Sequence, residues 1–99
     1  MNISKMLQQA QRAQAEMQKA LAELEVDGSA GGGIVHVRLN GLKDLLGVTI
    51  DAEAVAGEGS ELLEDLVVAA WEDASRQLEE RSKEILARMG LPAGIPGMI

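Results

Sequence analysis

Leu62 to Ala74, LLEDLVVAAWEDA, carries the strongest helical periodicity in the chain. Wound at about 100° per residue, Leu62, Leu63, Leu66, Val67, Ala69, Ala70 and Ala74 fill one arc, wide enough for a core-facing surface rather than a narrow seam. The stretch is therefore expected to be a largely buried helix. Two residues stand out of place. Asp73 lies inside the apolar arc beside Leu62, Leu66 and Ala69, and a carboxylate there needs hydrogen-bonding partners. Val68 lies among Glu64, Asp65 and Glu72 on the face that should meet water, with Trp71 on the border of that sector. Val68 and Trp71 are accordingly expected at an interface with a second copy of the chain.

Outward from this stretch, Ser60 can cap the helix at its start, and Gly90 and Pro92 should stop it after about Met89. Its acids Glu61, Glu64 and Asp65 come early and its bases Arg81, Lys83 and Arg88 late, which suits the helix dipole. Glu72 with Arg76, Glu79 with Lys83, and Glu84 with Arg88 have i,i+4 spacing for ion pairs. The tail 90–99, with two Pro and two Gly beyond Gly90 and no periodicity, reads as mobile.

Before the helix, Leu24-Glu25-Val26-Asp27 alternates apolar and acidic and reads as a short strand. The loop Gly28-Ser29-Ala30-Gly31-Gly32-Gly33 follows it. A phosphate-cradling loop requires a helix after it, whereas this one precedes the β-branched run Ile34-Val35-His36-Val37, so a hairpin connection is expected. Asn40-Gly41 then has the composition of a two-residue type I′ turn. Such a turn pairs Leu39 with Leu42, Val37 with Asp44, Val35 with Leu46 and Gly33 with Val48. Asp44 is the misfit, which a bulge near Lys43 or Asp44 would relieve. Residues 23–51 thus form a three-stranded antiparallel meander.

At the start of the chain, Ile3, Met6, Ala10, Ala13, Met17, Ala20 and Leu24 alternate in steps of three and four, a heptad seam broadened by Leu7 and Leu21. The helix is expected over 1–22, and alanine in its seam implies close helix packing. Lys5, Arg12 and Lys19 share one heptad position and form a basic line. About thirty helical residues span roughly 45 Å and a seven-residue strand about 23 Å, so the 60–89 helix must project beyond the sheet. The first helix is expected to run antiparallel along this arm, with Ile3 near Met89. Arg81 and Arg88 continue the face that Leu63 and Ala70 turn to the sheet. The fold class is therefore α+β, a small antiparallel sheet between an N-terminal helix and a long C-terminal one, in a single domain over 1–99.

Ninety-nine residues bury only roughly 60–65% of the unfolded chain's surface, and with one Trp, no Phe and no Tyr the core must be small. A homodimer is expected on that ground. The absence of Cys excludes disulfides and thiolate metal sites, and no apolar run has the length of a membrane span, so a cytoplasmic location is expected. The formal net charge of −7 is unevenly spread: residues 1–22 carry +2, residues 23–75 carry −10 and residues 76–99 carry +1. Both ends are basic and the centre is acidic.

Leu24-Glu25-Val26, Gly28, Gly33-Ile34-Val35-His36-Val37, Leu39-Asn40-Gly41, Val48-Thr49-Ile50-Asp51 and then LLEDLVVAAWEDA resemble the YbaB/EbfC family of nucleoid-associated proteins over nearly the full length. The Gln- and Met-rich first helix and the Pro/Gly tail fit the same pattern. The resemblance implies a tweezers-like homodimer with a central β core and helical arms, binding DNA with little or modest sequence preference in the nucleoid. The chain departs from the family's frequent Asp-Pro at Asp51-Ala52 and from its frequent Asn-Asp at Glu72-Asp73.

The leading expectation is that Lys5, Arg12, Lys19, Arg76, Arg81, Lys83 and Arg88 contact the phosphates of duplex DNA while the acidic centre stays clear. With no aromatic platform for stacking bases, single-strand recognition is disfavoured. The alternative is a protein-binding adaptor whose apolar grooves, around Val68 and Trp71, take a partner's helix. An enzyme is the weakest reading: His36, the only histidine, sits in an alternating strand as a sheet-face residue, Asp73 reads as structural, and nothing in the motifs calls for a cofactor, a metal or a small-molecule substrate.

Overall fold

The computed structural model describes residues 2–88 and 90. The elements follow as α1 (Ile3–Glu23), β1 (Glu25–Ala30), β2 (Val35–Asn40), β3 (Leu45–Ile50) and α2 (Ser60–Arg88). The strands form one antiparallel sheet in the order β1-β2-β3. This is the α+β arrangement that the periodicities predict. Met89, all of the tail but Gly90, and with them the expected mobility lie outside the described residues.

β1 extends past its expected end at Asp27 to Ala30 because Gly28 serves packing rather than turning. Its absent side chain lets α2 settle on the strand, and a Cβ there would overlap the Ala70 carbonyl oxygen, the Ala74 nitrogen and the Ala74 methyl. The turn falls to Gly31, Gly32 and Gly33, all at positive φ, and the Gly-rich loop is the expected hairpin connection.

The second hairpin differs from its expected register. Val35 pairs with Ile50, Val37 with Val48, and Leu39 with Leu45, and the register shift between Arg38 and Leu39 leaves Leu46 as the extra residue of β3. The turn is a three-residue one. Lys43 N–H donates to the Asn40 carbonyl (3.0 Å) and Asn40 N–H to that of Asp44 (3.1 Å), while Lys43 takes the positive φ of 68°, the usual arrangement for such a loop. The Asn40 side chain holds it together, accepting from Leu42 N–H (2.9 Å) and Asp44 N–H (3.0 Å) and donating to the Asp44 carboxylate (3.1 Å). Gly41 is needed for close approach, not for positive φ. Its N–H donates to the carbonyls of Leu21 (2.8 Å) and Leu24 (3.0 Å), and a Cβ would strike the Leu21 backbone.

The core is the face of β1 and β2 under α2: Leu24, Val26, Val35, Val37, Leu39, Ala70, Ala74 and Leu78. On α2 the buried positions recur at every fourth residue, Ala70, Ala74, Leu78, Ser82 and Leu86. Each step of four turns the stripe by about 40°, so it winds around the helix instead of following one side. Leu63, Leu66 and Val67 are half-buried against the core, as the arc predicts. Leu62 and Ala69 are exposed, since the true contact is centred further toward Val67, and the helix is less buried than its composition implies. Gly90, at φ 76°, donates its N–H to the Ala87 carbonyl (3.1 Å), consistent with its expected place at the helix end.

α2 lies across β1 and β2 and leaves β3 bare. Leu45, Val48 and Ile50, cross-strand neighbours of the buried Leu39, Val37 and Val35, are 54%, 43% and 39% exposed. The apolar face of the sheet thus runs on past the helix that covers it.

α1 begins with Asn2, whose side chain accepts from Lys5 N–H (3.2 Å). It does not line the arm as expected. No residue of α1 is buried, only Met17, Ala20 and Leu21 are half-buried, and Ile3 to Glu16 are exposed throughout. An alanine-rich seam offers little apolar area to hold a helix down, and the attachment is made instead by Gly41 at the C-terminal end of α1. The expected neighbour of Ile3, Met89, is not among the described residues. The molecule is elongated, 69 × 19 × 18 Å.

Candidate nucleic-acid interface

The arm of α2 is anchored from its sheet side by side-chain hydrogen bonds. Asp73, the misplaced acid of the sequence, accepts from the Ser29 backbone N–H (2.9 Å), from Gln77 (3.2 Å) and from Arg76 (3.2 Å). Gln77 also donates to the Asp27 carbonyl (2.9 Å). Together Asp73 and Gln77 satisfy β1 backbone groups that face away from β2, so the free edge of the strand is tied to the helix. The Ser29 N–H, more than Arg76 and Gln77, draws the Asp73 carboxyl below its ordinary pKa, against the opposing effect of partial burial. The structural role expected for Asp73 is what the geometry shows. Gln77 carried no such signal: on a sequence it is one more polar residue of an exposed face.

The seven candidate phosphate contacts are all exposed, but they are not equivalent. On α1, Lys5, Arg12 and Lys19 stand on one line at intervals of about 10 Å. On α2, Arg81 and Arg88 share the face that Leu63 and Ala70 occupy over the sheet, whereas Arg76 and Lys83 lie about 140° around the helix from them. The second pair is engaged with acids: Arg76 with Asp73 (3.2 Å) and Lys83 with Glu79 (3.9 Å). Arg76 thus turns to the residue three before it and not to Glu72, because Asp73 is fixed at the strand edge. Among the described residues, Arg81, Arg88 and the three bases of α1 make no ion pair within 4.0 Å; the expected Glu84–Arg88 pair is not formed, and the Glu79–Lys83 pair is.

Two further contacts between basic and acidic residues lie on the sheet. His36 Nδ1 lies 2.8 Å from an Asp27 carboxylate oxygen, and Arg38 lies 4.0 Å from Glu25. His36 is the sheet-face residue expected. Val68 and Trp71 are exposed, and Trp71 borders an open groove of about 630 Å³ lined also by Leu21, Leu42, Leu78 and Leu86. The bare β3 was missed by sequence reasoning. Its alternation of apolar residues signals a buried face but not which neighbour covers it.

The fold and this distribution of charge define a small α+β protein whose unpaired bases among the described residues lie mostly on the two helices, with Lys43 in the turn between β2 and β3. The family model of the YbaB/EbfC DNA-binding family matches residues 1–92, and the chain belongs to that family. It is 45% identical to a nucleoid-associated protein of Xanthomonas campestris over 95% of this chain and 93% of that one. A nucleoid-associated protein of Gluconacetobacter diazotrophicus is 41% identical over 95% and 94% of the two chains. The crystal structure of an uncharacterized protein from Helicobacter pylori superposes with a TM-score of 0.72 over 90% of this chain and 97% of that one, at 23% identity, which bears on the fold alone. Among the described residues, no helix is long and apolar enough to cross a membrane.

Proposed function

We propose that the chain is a nucleoid-associated protein that binds duplex DNA as a homodimer with little sequence preference, helping to organise the nucleoid or influence transcription, and that it is not an enzyme. The observation that carries the reading is the change of character along α2. The face that rests on the sheet as Leu63 and Ala70 continues into solvent as Arg81 and Arg88, which pair with no acid among the described residues. Lys5, Arg12 and Lys19 add a second cationic line, and Arg76 and Lys83 contribute less because each already faces a carboxylate. The family and the relatives' names support the DNA partner. Homodimerisation is supported by the bare apolar face of β3, together with Val68 and Trp71, which a second copy would cover.

Phosphate contacts position a protein without reading sequence, and each releases counterions, so affinity falls with salt at a slope of about 0.9 per phosphate neutralised. Fluorescence anisotropy of a labelled random-sequence duplex, titrated at several salt concentrations, tests the reading, with the oligomeric state measured alongside. Micromolar or tighter binding by a dimer, weakening steeply with salt, is expected. No binding at low salt would overturn it and favour an adaptor that takes a partner helix in the Trp71 groove.

A further inference from the structure

The sheet has two edge strands, β1 and β3, and they are finished differently. β3 is LLGVTI, without a charge or a proline, and its Leu45, Val48 and Ile50 are exposed. An uncharged apolar edge of this kind is a template for another strand. At β1, the alternation of an antiparallel pair turns the backbone of Asp27 and Ser29 away from β2, and each gives one outward group to α2. Ser29 N–H donates to Asp73 (2.9 Å), and the Asp27 carbonyl accepts from Gln77 (2.9 Å). Gln77 also donates to Asp73 (3.2 Å), so the two side chains brace one another. They occupy a donor and an acceptor that an incoming strand would use.

We propose that Asp73 and Gln77 guard the β1 edge against the β3 strand of another copy, and so stop assembly at a closed homodimer. The inference rests on the homodimer reading above and not on DNA binding. Two features select β3 as the strand held off. Pairing β1 with a second β1 would bring Glu25 and Asp27 of the two copies together, and like charges facing across strands are destabilising, whereas β3 carries no charge. Ser29, His36 and Thr49 stand in one row across the sheet, so a β3 laid beside β1 with its faces in the same sense continues that row. Contact of β1 with β3 is head-to-tail. It leaves a free β3 on one copy and a free β1 on the other, so it propagates instead of closing.

The test opens the edge with Asp73→Ala/Gln77→Ala. In sedimentation velocity across a dilution series, the unaltered protein should keep the mass of a dimer, and the double variant should form larger species that grow with concentration. Gln77→Ala alone frees only the Asp27 carbonyl and should reach those species at about fivefold higher concentration. Asp73→Asn keeps an oxygen that can accept from Ser29 N–H, so it should hold the mass of the unaltered protein even though it melts lower. To identify the strands in contact, Ser29→Cys and Thr49→Cys are each placed in the double variant, in a chain that has no other thiol. A short bifunctional maleimide should link the two populations when mixed and should not link Ser29→Cys to itself. A double variant with native circular dichroism and the mass of the unaltered protein would overturn the proposal; should it unfold, Gln77→Ala decides by the same reading. Assembly of Asp73→Asn at the concentrations where the double variant assembles would overturn it by assigning the effect to lost stability. Linking of Ser29→Cys to itself would overturn β3 as the strand excluded. An unaltered protein that sediments as a monomer would instead remove the homodimer reading, and the proposal with it.

Discussion

The two halves of α2 are built on the same helical face and meet different surroundings. Over the sheet that face is Leu63 and Ala70, with Ala74 next to it; past the sheet it is Arg81 and Arg88. The first half is defined by how closely it approaches, down to the backbone of Gly28, and by the clamp of Asp73 and Gln77 on the strand edge. The second half is defined by having no strand beneath it. One continuous helix therefore carries the rigidity of the core out to bases held in solvent, without a loop between them.

The comparison implies opposite responses to substitution. Gly28→Val puts a side chain into the helix backbone and should cost at least about 3 kcal/mol, seen as a fall in melting temperature of about 12 °C or more. A similar enlargement at an exposed position of the arm, Ala87→Val, should cost less than about 1 kcal/mol, mainly the lower helix propensity of valine. Similar destabilisation at both positions would break the distinction.

A smaller effect is expected from Asp73. Its folded pKa lies below its ordinary value, so the unfolded state takes up a proton first as pH falls. Its contribution is complete at neutral pH, starts to decline near pH 4 and disappears through the lowered folded value. Asp73→Asn should lower the melting temperature at pH 7 and flatten its dependence on pH in that acidic window, as read by circular dichroism. An unchanged pH profile would remove the clamp from the account.

The smallest effect belongs to the bases already facing acids. Arg76→Gln and Lys83→Gln should each weaken duplex binding by less than threefold, because exposed ion pairs of this kind are worth roughly 0–1 kcal/mol and offset part of what each base offers a phosphate. Weakening equal to that at Arg81 or Arg88 would show that the two faces of the arm act alike.

Much of this was legible in the sequence, where one residue has one physical use. The long helix, its position after the sheet, the partner demanded by Asp73 and the hairpin at Gly31-Gly32-Gly33 all followed from periodicity, burial and backbone freedom. Asn40-Gly41 was misread because glycine serves two purposes: the pair has the composition of a type I′ turn, but the glycine is there for the approach of the α1 end, and the positive φ falls on Lys43, which has no local signature. That single difference moves β3 by several residues against β2. The exposure of β3 and of the α1 seam was hidden for another reason. An apolar pattern shows that a face needs a partner, but not whether the partner lies in the same chain.

For the candidate interface, the bases were legible and their inequality was not. Arg76 has Glu72 at the favourable spacing, and only the hydrogen bond from Ser29 shows why Asp73 is the carboxylate in place to receive it.

The most direct test compares the salt dependence of duplex binding for Arg81→Gln/Arg88→Gln with that for Arg38→Gln, whose charge lies on the sheet beside Glu25. Every phosphate left without its base should reduce the slope of log affinity against log salt by about 0.9. The arm variant is predicted to leave nearly two phosphates per protomer without a base and to weaken on all sequences alike, while the sheet variant keeps the full slope. An undiminished slope in the arm variant, with its fold and dimer intact, would contradict the claim that the projecting half of α2 holds the DNA.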